Sequence, residues 1–323
     1  MKKLKVFTLA ILAVLAIAVV VIVIIVMDIR RSGVPEYEGE AVITGLASEV
    51  KVIRDERGMP HIYAENEHDL YTAVGYVMAQ ERLWQMDLIR RATTGRLSEI
   101  FGEDYVQTDL FLRSLRMTEK SDKVISGCSR EVLDCLTWFV EGVNAYIEEA
   151  GSSLPPEFRI LGYKPETWTM QNTVNIIGYM GWDLAGGNLS GDIFLYRLAK
   201  EIGQEKAQLL TPYLDYTGTP VYPEFTLDES HYNAVAAISG FNRQLEDLGI
   251  TPFYGSNNWA VSGERSETGK PIFSNDMHLG LSSPGIWIQM HHIIPGKLNV
   301  TGVFLYLASL SLLPGIMKIL HGG

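Results

Sequence analysis

The residues best suited to chemistry lie at 255–259, where the sequence reads Gly-Ser-Asn-Asn-Trp directly before a predicted strand. A serine hydroxyl is a poor nucleophile until a base removes its proton. That base is either a histidine held by an aspartate, or the serine's own α-amine once the chain is cut before Ser256; such an amine titrates at about pH 8. Glycine at 255 permits the backbone distortion that self-cleavage requires. A Gly-Ser pair before a strand is also a common turn, so these residues alone leave both interpretations open.

The elements that must position these residues follow from hydrophobic spacing. Short alternating segments predict strands, and apolar residues three or four apart predict helices. The predicted strands are 49–54 and 61–64, which form a hairpin, and then 258–262, 271–278 and 286–294, which form an antiparallel meander. Four helices are predicted. The first begins near His68, the second covers 129–150 between a Ser129 cap and Gly151, the third runs from a Thr167 cap to Gly181, and the fourth covers 192–210. A loop is predicted at 155–165. Helices come mostly first and strands afterwards, which predicts an α+β fold.

Composition excludes several classes of protein. The chain has 323 residues, of which 47% are hydrophobic, and 38 acidic against 27 basic side chains give a net charge of −11. It is neither disordered nor collagen-like, and two cysteines do not make a disulfide scaffold. The acidic balance argues against nucleic acid as a partner. Cys128 and Cys135 are seven residues apart, about 10 Å on one helix, which is too far for a disulfide, so we expect two buried thiols.

The N-terminal segment, residues 1–27, predicts a membrane helix. It carries three lysines and no acid, and residues 6–27 are apolar except Thr8. A helix of that length measures about 33 Å, enough to cross the hydrocarbon core of a bilayer. Because no small-residue cleavage pattern precedes Asp28, we favour an uncleaved signal anchor over a cleaved signal or a buried core helix. The predicted location is therefore a single-pass membrane protein whose body is extracytoplasmic, at the cell surface or in the periplasm.

Several motifs, in order along residues 49–303, resemble the penicillin acylase family of N-terminal-nucleophile hydrolases. That family also contains cephalosporin and acyl-homoserine-lactone acylases. The motifs are 79–91, 154–158, 161–166 and 168–169 in the part similar to the family's α chain, and 256–263, 269–272 and 275–279 in the part similar to the start of its β chain.

The resemblance implies a precursor with an αββα sandwich that cuts itself between Gly255 and Ser256 into α and β chains, which then stay associated. Ser256 is implied to attack a small-molecule acyl amide and form an acyl-enzyme, with its free amine as base. His278 lies where cephalosporin-acylase-like members carry a histidine that orients or assists the serine. Asp192, read as the first residue of a helix, is implied as a ligand of a structural calcium ion, although an acidic residue is favourable at any helix start. No organic cofactor is implied.

The chain departs from the family near its end. We expect an anchor at 1–27, an α-chain-like region at 28–255, the start of a β chain at 256–303, and an aberrant tail at 304–323. Residues 315–322 can be encoded by a nucleotide sequence that, translated one nucleotide earlier, gives the peptide GHNEDIAW. This peptide resembles the family's next motif, so we expect a frameshift near residue 303. The family's oxyanion-hole asparagine lies beyond that point. We therefore expect a truncated form that is inactive and poorly folded in its second half.

Three alternatives stay open. Within the family, the chain could be an acyl-homoserine-lactone or a cephalosporin acylase. Outside catalysis, it could be a membrane-anchored binding protein or a remnant that uses only the α-chain-like region. A conventional serine hydrolase with a histidine partner is the third, and the lack of a G-x-S-x-G motif counts against it.

Overall fold

The computed structural model describes residues 2–151, 153–211, 229–250 and 253–305. Within them the chain contains both helices and strands, and the α-helices precede the last four strands, in agreement with the predicted α+β class. The helices are α1 (Lys2–Arg31), α2 (Glu67–Thr94), α3 (Ser98–Phe101), α4 (Val106–Ser114), α5 (Met117–Gly127), α6 (Arg130–Ala150), α7 (Pro156–Leu161), α8 (Met170–Ile202), α9 (Gln204–Leu210) and α10 (Glu229–Asp247). The strands are β1 (Lys51–Arg54), β2 (Pro60–Tyr63), β3 (Phe253–Val261), β4 (Ile272–Leu279), β5 (Trp287–Ile294) and β6 (Leu298–Leu305).

The chain divides into two compact units. The first contains residues 1–88, 127–173 and 287–323, and the second contains 89–126 and 174–286. Each unit is defined by its compactness, and the first contains residues from both sides of position 256. The units therefore do not test the predicted processing boundaries, which stay predictions.

The first unit holds a four-stranded sheet in the order β1-β2-β5-β6. Strands β1 and β2 form the predicted antiparallel hairpin, β5 and β6 pair antiparallel, and β2 and β5 pair parallel. One face of the sheet is buried, and its side chains include Ile62, Met290, His292 and Phe304. The sheet therefore joins strands from the beginning and the end of the described chain.

Helix α6 of the first unit follows the predicted pattern. It begins after Ser129, whose side-chain oxygen accepts a hydrogen bond from the Val132 N–H at 3.4 Å, and it ends at Gly151. A side-chain oxygen at this position satisfies one of the unpaired donors of the first helical turn. Both predicted bounds of this helix are confirmed.

Helices α2 and α6 approach each other at two glycines. A Cβ on Gly75 would overlap the carbonyl oxygen of Phe139, and one on Gly142 would overlap that of Thr72. Only residues without a side chain allow the two backbones to come this close. The helix pair therefore depends on glycine at both positions.

A buried carboxylate ties the segment before β1 to the first turn of α2. Asp69 is fully buried and accepts hydrogen bonds from the backbone N–H groups of Ala47 and Ser48, both at 2.9 Å. The side chain of Asn66 donates a further bond at 2.7 Å. Burial opposes ionisation, but the donated hydrogen bonds outweigh it and hold the pKa of Asp69 below its ordinary value. The buried negative charge of Asp69 is thus stabilised by hydrogen bonds from these three groups.

The second unit contains α3–α5, most of α8, α9, α10 and the β3–β4 hairpin. Asp109 on α4 is buried and accepts from the backbone N–H groups of Leu97 and Ser98, both at 2.8 Å. Phe111 on the same helix stacks on Phe241 of α10, with ring centroids 5.2 Å apart. These contacts join α3, α4 and α10.

The structure corrects four predictions. The loop expected at 155–165 contains a short helix, α7, which begins with proline at its first position. Thr167 does not cap α8; Thr169 does, because its hydroxyl accepts from the Asn172 N–H at 3.3 Å. The helix expected over 192–210 is the continuation of α8 followed by α9, with the break at Gly203, where φ is +86°. The three strands after 258 are not one meander, since β3 and β4 form a separate two-stranded sheet.

The two cysteines are not joined by a disulfide. Cys135 is buried within α6, as expected, whereas Cys128 lies before that helix and is only half-buried. The prediction of two buried thiols is therefore right for Cys135 alone.

Candidate active site

The β3–β4 hairpin carries both predicted catalytic residues. The strands are antiparallel, with Gly255 opposite His278, Ser256 opposite Met277 and Asn257 opposite Asp276. Side chains of opposed residues share a face of a ladder, and successive residues alternate between faces. The hairpin therefore brings Ser256 and His278 to neighbouring positions but directs their side chains to opposite faces.

The backbone at the predicted cleavage site is irregular. The register of β3 shifts between Phe253 and Gly255, and Gly255 has a φ of +146°. This region of backbone conformation is accessible to glycine and strained for other residues. No atom lies within 4 Å of a Cβ built on Gly255, so the requirement for glycine there comes from the backbone angle and not from crowding.

The hydroxyl of Ser256 lies against the bond that the sequence predicts to be cut. Its Oγ donates a hydrogen bond to the carbonyl oxygen of Gly255 at 2.8 Å. Ser256 is solvent-exposed, so water also reaches this group. This hydrogen bond places Ser256 Oγ next to the carbonyl group of Gly255, whose carbon it would attack in self-cleavage.

His278 makes its contact with a second side chain on its own strand. Its Nε2 lies 2.9 Å from Oδ2 of Asp276, and both side chains are exposed. The structure thus gives His278 a carboxylate partner, which the sequence analysis did not identify. An Asp-x-His pattern on a strand would have indicated it, because residues two apart share a face.

Asp192 does not lie where the sequence predicted. It was expected to open a helix, but α8 runs without interruption from Met170 to Ile202, so Asp192 is exposed in its interior. Calcium takes six to eight oxygen ligands. Among residues 2–151, 153–211, 229–250 and 253–305, no group of three His, Cys, Asp or Glu side chains is placed to hold a metal ion. These residues do not by themselves fit calcium, which stays a prediction.

The N-terminal helix has the length and composition expected of a membrane span. Within α1, Phe7–Arg31 is long and apolar enough to cross a bilayer, and its hydrophobic side chains are exposed. A signal sequence at the N-terminus meets the same criteria. The helix itself is confirmed, while its retention as an anchor stays a prediction.

Comparison with known proteins decides the family. The family model for penicillin amidase matches residues 49–316. The chain belongs to the penicillin amidase family. The match begins where the predicted resemblance begins and continues past residue 303. Residues 306–323, which contain most of the expected aberrant tail, lie outside the described residues, so the frameshift stays a prediction.

Curated penicillin amidase relatives are much longer than this chain. It is 31% identical over 293 residues to the acyl-homoserine lactone acylase QuiP of Pseudomonas aeruginosa, covering 90% of this chain and 34% of that protein. It is 30% identical over 300 residues to the penicillin acylase 2 proenzyme of Pseudomonas sp. strain SE83, covering 91% and 37%. The chain therefore spans about a third of the length of these relatives.

Among solved structures, the chain is similar to a thermostable penicillin G acylase from Alcaligenes faecalis. The identity is 28%, the match covers 56% of this chain and 97% of the other, and the TM-score is 0.45. Homologues in the penicillin amidase family are hydrolases that act on carbon–nitrogen bonds other than peptide bonds, in linear amides.

Proposed function

We propose that this chain is the part of a penicillin-acylase-type amidohydrolase that cuts itself before Ser256 and then uses Ser256 as its nucleophile. The observation that carries the proposal is the position of the Ser256 hydroxyl, 2.8 Å from the carbonyl oxygen of Gly255. The positive φ of Gly255 and the register shift beside it place the same peptide bond in an irregular backbone.

Self-cleavage needs only groups that are present at this bond. Ser256 Oγ attacks the carbonyl carbon of Gly255 and its proton passes to the leaving nitrogen, so the amide becomes an ester and the amine of Ser256 is released. Water then hydrolyses the ester, which leaves a carboxylate on Gly255 and a free hydroxyl and amine on Ser256. The new amine is a base suited to neutral pH and lies on the nucleophile itself.

The requirement for glycine at 255 gives the first test. Gly255→Ala is expected to slow self-cleavage about tenfold or more, because alanine resists the positive φ and backbone strain of this kind costs roughly 1–3 kcal/mol. The measurement is the rate at which the fragment that begins at Ser256 accumulates. Gly249→Ala is the matched control: φ is +84° there, nothing crowds its Cβ, and it lies in the turn after α10. Equal rates for the two variants would contradict the proposal.

Cleavage changes the surroundings of His278. Gly255 faces His278 across the hairpin, so the amine released on Ser256 appears beside the position that Gly255 occupied. We therefore assign His278, held by Asp276, to orienting this amine. The assignment gives His278 a role without direct contact with the serine hydroxyl.

The role of His278 can be tested on the processed chain with a sulfonyl fluoride, which labels an activated serine hydroxyl and does not require the amide turnover that we expect this truncated form to lack. His278→Asn is expected to slow labelling of Ser256 on the order of 10²-fold, the low end of what a positioned acid or base contributes. Asp276→Asn is expected to have a smaller effect in the same direction, because it removes only the residue that holds the ring. Unchanged labelling in His278→Asn would leave the histidine without a catalytic role.

The substrate proposed for the whole protein is a small-molecule acyl amide. Ser256 would form an acyl-enzyme and water would release the acid. The relatives named above are acylases for acyl-homoserine lactones and penicillin, and either class fits this chemistry. The αββα sandwich of N-terminal-nucleophile hydrolases is part of the same proposal.

Association of the two chains after processing is supported by the sheet of the first unit. β2 precedes the cleavage site and β5 follows it, and they pair in parallel over three register positions. We also propose that α1 stays attached as an anchor, with the body outside the cytoplasm. Resistance of the full chain to alkaline extraction from membranes supports the anchor. If the cell instead removes residues 1–27 and the rest of the chain is recovered in the soluble fraction, the segment is a cleaved signal and the anchor proposal is wrong.

A further inference from the structure

Two histidines from distant parts of the sequence meet on the unburied face of the four-stranded sheet. His61 on β2 and His291 on β5 are register partners, so their side chains lie side by side on one face. Both are half-buried and reachable from solvent. Asp55, after β1, and Asn299, on β6, flank the pair.

The two rings turn the same nitrogen toward each other. His61 Nδ1 and His291 Nδ1 are 2.9 Å apart, and the rings meet edge to face at 71°. The far nitrogens face oxygen atoms: His291 Nε2 lies 2.7 Å from Asn299 Oδ1, and His61 Nε2 lies 3.8 Å from Asp55 Oδ2.

These contacts favour one arrangement of the protons on the two rings. An amide oxygen only accepts, so His291 carries its proton on Nε2 and has a lone pair on Nδ1. Oδ2 of Asp55 lies 3.8 Å from His61 Nε2, which is an ion-pair distance and too long for a direct hydrogen bond, and its negative charge favours a proton on that nitrogen. The other oxygen of Asp55 accepts from the Arg57 and Met59 N–H groups. Nδ1 of His291 then accepts either a proton from Nδ1 of His61 or, when His61 carries its proton on Nε2, a cation that the two facing lone pairs bind together.

The separation of the lone pairs matches a metal ion with square-planar preference. Two imidazole nitrogens, each about 2.0–2.1 Å from one ion, lie about 2.9 Å apart at a right angle and about 3.3 Å apart at a tetrahedral angle. Right angles between nitrogen ligands are typical of Cu²⁺ and Ni²⁺. We propose that His61 and His291 bind a divalent cation of this class through their Nδ1 atoms, with water at the remaining positions.

The outer contacts are those that support histidine ligands in metal sites. A histidine that binds a metal through one nitrogen usually donates its other N–H to a carboxylate or carbonyl oxygen, which fixes the ring and raises its basicity. Asp55 and Asn299 occupy these two places. The groups considered above for calcium contain at least three His, Cys, Asp or Glu side chains, so this pair of histidines is not among them.

The neighbouring His292 does not belong to this site. It lies on the opposite face of β5, fully buried, with its ring stacked on Phe304 at 4.6 Å between centroids. Burial and the nearby His291 lower the pKa of His292 to about 3, so it is neutral. Because successive residues of a strand alternate between its faces, His291 and His292 point to opposite sides of the sheet and cannot form one site.

The site is tested with Cu²⁺ alone. The full chain, solubilised in detergent and purified through a tag without histidine, is stripped with EDTA and titrated with CuCl₂ while its electron paramagnetic resonance spectrum is recorded. We expect a tetragonal signal with coupling to two nitrogens at one equivalent. His61→Gln and His291→Gln should each weaken binding at least tenfold, and Asn299→Ala about tenfold.

His68→Gln is the matched control, because His68 is also half-buried and lies beside two carboxylates, Asp69 and Glu141. It is expected to bind Cu²⁺ as the wild-type chain does. If His291→Gln binds as tightly as the wild type, or if His68→Gln loses as much, the site does not exist and a proton alone bridges the rings. A second measurement needs no variant: bound Cu²⁺ should protect His61 and His291 from carbethoxylation, and lack of protection overturns the proposal.

A bound ion would also join sequence from both sides of the proposed cleavage site. His61 precedes Ser256 and His291 follows it, so the ion would link the α and β chains after processing. This consequence depends on the proposed function. Metal binding to the uncut chain does not, so its failure and the failure of self-cleavage can be told apart.

Discussion

Replacing Ser256 with alanine is expected to leave the chain as one species of 36.0 kDa. The wild-type chain is expected to yield two fragments, one ending at Gly255 and one beginning at Ser256. The difference follows from the chemistry of the cut, because alanine has no oxygen to attack the Gly255 carbonyl and the amide cannot become an ester. Intact-mass spectrometry of the purified chain after incubation at neutral pH measures the outcome.

A serine elsewhere in the same hairpin provides the control. Ser274 lies on β4 opposite Trp259, so Ser274→Ala changes the hairpin without touching the peptide bond before Ser256. This variant should be cut at the wild-type rate. Cleavage between residues 255 and 256 in Ser256→Ala would show that a different group, or a contaminating protease, makes the cut.

The second large effect is expected at the crossing of α2 and α6. Gly142→Ala places a methyl group where the carbonyl oxygen of Thr72 lies, and the N–H nitrogen of Tyr76 is 2.7 Å from the same point. Both obstacles are backbone atoms, so no side chain can rotate to relieve the overlap. We expect a loss of about 3 kcal/mol or more in the free energy of unfolding, the upper part of the range for overpacked cores. Urea unfolding followed by circular dichroism measures it.

Gly181→Ala is the control for Gly142→Ala. Gly181 lies within α8, and no atom lies within 4 Å of a Cβ built there. Alanine at an uncrowded helical position should stabilise the protein by about 0.5–1 kcal/mol. If the two substitutions gave the same change, the close approach of α2 and α6 would not limit stability.

Local signals predicted the elements that carry the candidate site. The Ser129 cap and Gly151 gave both bounds of α6, and alternation over 258–262 and 271–278 predicted two neighbouring strands. The first of them, β3, begins at Phe253, so Ser256 lies inside the strand and not before it as predicted. These features are set by residues close together in the sequence, whose preferences act directly on the backbone.

The order in which distant strands pair could not be predicted from such local signals. Alternation showed that residues 286–294 form a strand, but alternation does not say which strand is its neighbour, and β5 pairs with β2 instead of β4. The meeting of His61 and His291 depends on that pairing, so local sequence signals offered no reason to place the two residues side by side. Asp192 was misplaced for a local reason, since α8 continues past Gly181, where the predicted helix was expected to end.

The most direct test of the central claim is the N-terminal sequence of the fragment that accumulates from the wild-type chain. We expect a fragment whose first residues are Ser-Asn-Asn-Trp, beginning at Ser256, together with its partner ending at Gly255. A chain that stays intact at neutral pH, or a fragment that begins at any other residue, would contradict it.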